Sequence, residues 1–175
     1  MAEVSFIGRP ALVGVGCPYC GRTLDPDDAG MVAAQQAWGW VGFAAKADGR
    51  VAGWLVVEPL PGRTALVRSV WVAPGLVRSG VGTRLVQGAA AGLLQRNVRA
   101  MVSAGSRRSP TCQVPPREFL KAVGFTRGLD ERLWHLDLDA TVVDRPRLIT
   151  VFERFVEAIR PVAPPEPAGR ATRGG

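Results

Sequence analysis

A chain of 175 residues, 47% of them hydrophobic, can bury the core of one domain with an appendage and is short for two. No apolar run reaches the length of a membrane span, and no basic cluster precedes a long apolar stretch at the start, so the default location is cytoplasmic and no membrane partner is expected. The net charge of +7 comes from scattered arginines with only Arg107 and Arg108 adjacent and no aromatics interleaved, which argues against nucleic acid and for a solvated basic surface that could steer a polyanion.

Taken in chain order, Ala11–Gly16 reads as a first strand ending at Cys17-Pro18-Tyr19-Cys20-Gly21. Asp25 is the expected N-cap of a helix that has Pro26 at its first position, Asp27 and Asp28 in its first turn, and its end near Trp38. Val41–Ala47 and Val51–Val57 flank Asp48-Gly49, a two-residue hairpin signal. Pro59, Pro61 and Gly62 form the next turn, and Ala65–Val72 completes a meander. Gly82–Gln95 reads as a helix that buries Leu85, Val86, Ala89, Leu93 and Leu94. Val98–Val102 is a strand, Pro115–Val123 a short helix, and Phe125–Leu129 with Leu133–Leu138 a closing pair of strands. Beyond Asp139 the composition shifts. Leu148, Val151, Phe152, Phe155, Val156 and Ile159 recur at helical spacing, so Arg147–Arg160 should form an amphipathic helix that either docks on the domain or pairs two subunits as a homodimer. The expected organisation is therefore a domain over 1–139, a C-terminal helix within 140–160 and a proline-rich disordered tail over 161–175.

The stretch from Ser69 to Leu85, SVWVAPGLVRSGVGTRL, places a strand end directly before a helix N-terminus, where free backbone N–H groups and the positive end of the helix dipole face outward. Such a terminus can hold an anion. Gly80 and Gly82 leave room for a phosphate, and Arg78 and Arg84 add charge nearby. Two spaced glycines are also compatible with an ordinary strand, turn and helix.

The order Val72-Ala73-Pro74, Gly80-x-Gly82-x-x-Leu85, the strand at Val98–Val102 and FLKAVGF at Phe119–Phe125 resembles the general control-related N-acetyltransferase (GNAT) superfamily over roughly residues 30 to 138. The run from Cys112 to Phe125 is also similar to bacterial members without an assigned substrate. The resemblance implies an α/β fold with a mixed, mainly antiparallel sheet flanked by helices, here with the extra C-terminal helix. It implies acetyl-CoA as cosubstrate and an amine, small or on a protein, as acceptor. It places the cofactor on Val70, Val72, Val77, Arg78, Ser79, Gly80, Val81, Gly82 and Thr83, with Gln113 near the family's CoA-touching Asn, and it gives the thioester carbonyl to the backbone N–H of Val70 or Val72. The sequence departs from the family at three places. Val77 stands where Gln or Arg is usual, with the arginine displaced to Arg78. The frequent carboxylate base falls on Leu66, and the frequent tyrosine acid falls on Leu120.

Amine acetylation needs a polarised thioester carbonyl, a deprotonated amine and a proton for the departing thiolate. Glu58 is the candidate base, against the alternative of a solvated strand-end glutamate. Cys112, in the region that approaches the thioester in the family, is the candidate acid, against the alternative of a small buried cysteine. If the missing groups are not replaced, the alternative is a CoA-binding or scaffold protein of the same fold with little catalysis. Cys17-Pro-x-Cys20-Gly resembles a zinc knuckle, for which Cys112 and His135 are the only other Cys or His ligands, against the alternatives of unligated thiols and a structural His135. The same CPYC resembles the glutaredoxin redox site, but Gly21 and Pro26 interrupt the helix that would have to follow, leaving reversible Cys17–Cys20 oxidation as a side property.

Overall fold

A computed structural model describes residues 2–130 and 132–143. Seven strands form one sheet in the order β1-β2-β3-β4-β5-β7-β6. Strands β1 (Glu3–Ile7), β2 (Gly42–Ala47), β3 (Arg50–Leu60) and β4 (Thr64–Val72) pair antiparallel in succession. A crossover through helix α2 (Val81–Gln95) then leads to β5 (Ala100–Ala104), parallel to β4. Strand β7 (Leu133–Asp137) pairs antiparallel with both β5 and the two-residue β6 (Thr126–Arg127). Helices α1 (Ala29–Trp38), α3 (Arg117–Ala122) and α4 (Leu138–Val143) complete the described fold. This is the mixed, mainly antiparallel sheet flanked by helices that the sequence implied. No helix among the described residues is long and apolar enough to cross a membrane.

Local chemistry explains most element boundaries. Asp48 and Gly49 take φ of 51° and 75°, which a tight two-residue hairpin between right-twisted strands requires. Helix α2 is buried almost all round, and Gly92 is the reason it can sit so close. A Cβ there would lie 3.0 to 3.1 Å from Phe43, Phe6 and Trp40. These rings pack on one another, with centroids 4.6 Å apart for Phe6–Phe43 and 5.2 Å for Trp40–Phe43.

Several expectations are corrected. The first strand lies at Glu3–Ile7, and residues 11–16 turn instead of extending: Pro10 opens a 3-10 turn over Arg9–Leu12, and Gly14 takes φ +73°. Helix α1 starts three residues after Pro26, because Asp25 closes a turn on Asp27 N–H (2.8 Å) and Asp28 N–H (3.1 Å), while Asp28 Oδ1 caps the helix at Gly30 N–H (2.9 Å). Strand β5 starts at Ala100, since Val98 N–H still bonds the Leu93 carbonyl at the end of α2 (3.0 Å). The last strand ends at Asp137 and not at Leu138, because Leu138, fully buried, opens helix α4. The helix placed over 147–160 and the tail over 161–175 lie outside the described residues.

Candidate functional site

Strands β4 and β5 are joined only over Thr64–Leu66 and Ala100–Val102. Beyond Leu66, β4 runs on to Val72 without pairing to β5. Ala73 N–H donates to the carbonyl of Ala52 on β3 (2.8 Å), so strand alternation turns the N–H and C=O of Val70 and Val72 toward the opposite, parted edge. The loop after β5 and the turn after β1 both reach this edge. Val70 N–H donates to the Cys112 carbonyl at 2.7 Å, and the Tyr19 hydroxyl donates to the Val72 carbonyl at 2.7 Å. A cavity of about 300 Å³ borders it, with Tyr19, Val70, Val72, Val77, Cys112 and Phe119 in its wall. Trp71 also borders it, and the indole N–H of Trp71 is buried without a partner among the described residues, an unmet donor in a cavity wall.

Two expectations about β4 change. Of the two N–H groups expected for a carbonyl, that of Val70 is already bonded to Cys112, which leaves Val72. Tyr19, the only tyrosine in the chain, was assigned no role from sequence, yet the fold brings it 53 residues along the chain to Val72.

The loop between β4 and α2 has the backbone of an anion cradle. Arg78 and Gly80 take φ of 65° and 84°, and this alternation of hand curves successive N–H groups inward. Gly80 caps α2 without a side-chain bond, so the first-turn N–H groups of Val81, Gly82 and Thr83 have no helical acceptor. Three details differ from the sequence reading. Gly82 is buried, and a Cβ on it would lie 2.7 Å from the Phe119 ring, so its missing side chain is accounted for by packing against α3. Ser79 gives both its N–H (3.2 Å) and its hydroxyl (2.5 Å) to the Leu76 carbonyl. Arg84 donates to the Ala2 carbonyl (3.2 Å), beside β1. Arg78 and Val77 remain exposed on the loop.

Glu58 lies on β3 directly opposite Leu66 of β4, the position onto which the family's frequent carboxylate base falls. A bulge in β4, where Val56 pairs Ser69 and Val57 pairs Val67, makes Arg68 the extra residue. The Arg68 guanidinium lies 3.4 Å from Glu58 Oε2 and 3.7 Å from Asp28 Oδ2. The contact with Glu58 is an ion pair without hydrogen-bond alignment, since Arg68 Nε has no hydrogen-bond partner. The Glu58 side chain is 13% exposed. Burial raises its pKa above the ordinary carboxylate value, Arg68 opposes that shift and Asp28 adds to it. Glu58 is therefore a half-screened, partly desolvated carboxyl group, not a solvated strand end.

Cys17 and Cys20 converge on Cys112, which is in the cavity wall, and all three sulfurs lie within 4.8 Å of one another. The Arg22 backbone N–H draws the Cys20 thiol down to about 7, whereas burial pushes the Cys112 thiol up to about 11. Arg22 also donates to Gln113 Oε1 at 2.6 Å, so Gln113 stitches the two loops together. His135 does not join the cysteines. It is exposed on β7, between Val102 and Thr126. Leu120 is fully buried and supplies no acid.

Residues 19–125 match the family model described as the acetyltransferase (GNAT) family. Among solved structures, the chain is similar to Ard1 from Thermoplasma volcanium, with a TM-score of 0.56 at 14% identity over 77% of this chain and 94% of that one. It is similar to the ribosomal-protein-S18-alanine N-acetyltransferase from Escherichia coli, with a TM-score of 0.55 at 16% identity over 79% and 94%. It also resembles the IAA acetyltransferase from Bacillus cereus, with a TM-score of 0.54 at 14% identity over 78% and 99%. At these identities the likeness establishes the fold. No curated protein gives a significant match.

Proposed function

Because this chain belongs to the acetyltransferase (GNAT) family, we propose that it transfers an acetyl group from acetyl-CoA to an amine, with the parted edge of β4 as its reaction centre. The observation that carries this reading is the edge itself: Val72 turns its backbone toward a cavity of about 300 Å³ beside the N-terminus of α2. The αL backbone at Arg78 and Gly80, with open space where a Gly80 Cβ would be, fits a pyrophosphate. The N–H groups of Val81, Gly82 and Thr83 and the charge of Arg78 would hold it, and the net charge of +7 favours the encounter with a polyanion. Bound acetyl-CoA supplies the acyl group as an activated thioester.

Two groups at the edge and one carboxyl group outside the cavity wall divide the remaining work. Val72 N–H is the donor available to a carbonyl oxygen as negative charge grows on it. Glu58 takes the proton from the amine through water, from the strand next to the family's usual place for a base. The Tyr19 hydroxyl, held on the Val72 carbonyl, supplies the proton for the departing thiolate. Cys112 contributes its carbonyl to Val70 and its side chain to the cysteine group, so the acid role considered for it passes to Tyr19.

The alternative, a CoA-binding protein with little catalysis, is favoured by Leu66 and Leu120 standing at the usual base and acid positions. Amine-dependent release of free CoA by the full chain, against a panel of small amines and peptides, separates the two. Release that Glu58→Gln abolishes supports the enzyme. Tight acetyl-CoA binding without release from any acceptor supports the binder, and no heat of binding with excess acetyl-CoA defeats both.

A further inference from the structure

We propose that Cys17, Cys20 and Cys112 bind one soft divalent cation of the zinc class through three thiolates, leaving the fourth coordination position open to solvent. Cys20 Sγ lies 3.6 Å from Cys112 Sγ, and no pair in the group is more than 4.8 Å apart. A tetrahedral ion about 2.3 Å from each sulfur separates the sulfurs by about 3.8 Å, so the group is already near the spacing it needs. A disulfide needs sulfurs about 2.05 Å apart and uses only two, which leaves the third without a reason to be there.

The backbone around the first two cysteines is shaped for this purpose. Cys17 N–H donates to the Arg22 carbonyl and Gly21 N–H to the Cys17 carbonyl, both at 2.9 Å, while Gly16 bridges Thr23. Gly21 takes φ +69°, which closes the turn and brings both sulfurs to one side. Cys112 arrives from 92 residues away and is fixed by its carbonyl on Val70 N–H and by its neighbour Gln113 on Arg22.

Packing explains the group less well. Cys20 is exposed, and a solvent-facing thiol gains little from two buried ones. Among the described residues no fourth Cys, His, Asp or Glu joins, hence the open position on the side of Cys20. Binding displaces the thiol protons, up to three, to solvent. It would also tie the turn that carries Tyr19 to the loop that carries Cys112, and so fasten both walls of the cavity. The site itself does not depend on the acetyltransfer reading.

Cobalt titration of the full chain, reduced and stripped with a chelator, tests it. The expected result is one Co²⁺ per chain with thiolate-to-cobalt charge transfer and strong tetrahedral d–d absorption, displaced by Zn²⁺, and a higher Tm with metal than without. Cys20→Ser, at an exposed position, should remove the thiolate bands from a protein that still folds by circular dichroism, and His135→Ala should keep them. Failure of the reduced, folded chain to bind cobalt stoichiometrically overturns the proposal. So does binding without thiolate bands, or bands that survive Cys20→Ser.

Discussion

A Cβ built on Gly30 falls 1.8 Å from Glu58 Oε2, so the carboxyl group on β3 occupies the space that any side chain at this turn of α1 would fill. Glycine inside a helix ordinarily costs about 1 kcal/mol relative to alanine. Here it is what allows the carboxyl group to rest against the first turn of α1. Gly30→Ala should leave Tm nearly unchanged, because the end of a flexible side chain can move away while the helix gains propensity. It should lower kcat by tenfold or more, because Glu58 moves with it. Paired thermal melts and CoA-release assays check both; an unchanged kcat would show that the position of Glu58 does not matter.

The elevated pKa of Glu58 fixes the sign of its pH effects. If Glu58 is the base, the rate should rise with pH through a value above the usual carboxylate pKa of about 4.3, and Glu58→Gln should remove that limb. Stability carries the opposite trend. A carboxyl group whose folded pKa is raised binds its proton more tightly in the native state, so its contribution declines as pH climbs from the unfolded value through the folded one and is flat above it. Urea titrations of the wild type and Glu58→Gln across the acid range should show this difference.

Tyr19→Phe removes the hydroxyl on the Val72 carbonyl while keeping the ring in the cavity wall. The bond itself is worth about 1 kcal/mol net, so the loss of stability should be small. A proton donor should show itself in kcat, expected to fall by tenfold or more with acetyl-CoA affinity held within about twofold. Calorimetry and steady-state kinetics on the same preparation separate these. A loss of affinity at constant kcat would make Tyr19 a binding residue only.

Gly82 and Phe119 should behave as a coupled pair. Gly82→Ala sets a Cβ 2.7 Å from the Phe119 ring and should destabilise by about 1 to 3 kcal/mol, in the range of overpacked cores. Adding Phe119→Leu should recover part of that loss, giving a non-additive double-mutant cycle. Gly80→Ala differs in kind. It meets open space, but its φ of 84° should cost about 1 to 2 kcal/mol that no change at Phe119 relieves. Denaturant melts of the five variants distinguish a packing glycine from a conformational one.

The sequence by itself determined what depends on neighbours along the chain. The Asp48-Gly49 hairpin and the strand-loop-helix order of β4 and α2 follow from turn chemistry and hydrophobic period, which act over a few residues. The same local reasoning failed where two local signals competed. Asp25-Pro26 reads as a helix start, but Asp25 uses its own oxygens to close a turn and passes the cap to Asp28. The candidate site belongs to the other category. Tyr19 meets Val72 across 53 residues, and Cys20 meets Cys112 across 92. Glu58 faces Leu66 only because β3 and β4 pair in one register, and Arg68 reaches Glu58 only because β4 bulges there. Such contacts are set by how sheet and helices pack, and no periodicity along the chain encodes them. The tertiary structure therefore decided which side chains form the candidate site, while the sequence had already decided that β4 would lead into a helix N-terminus.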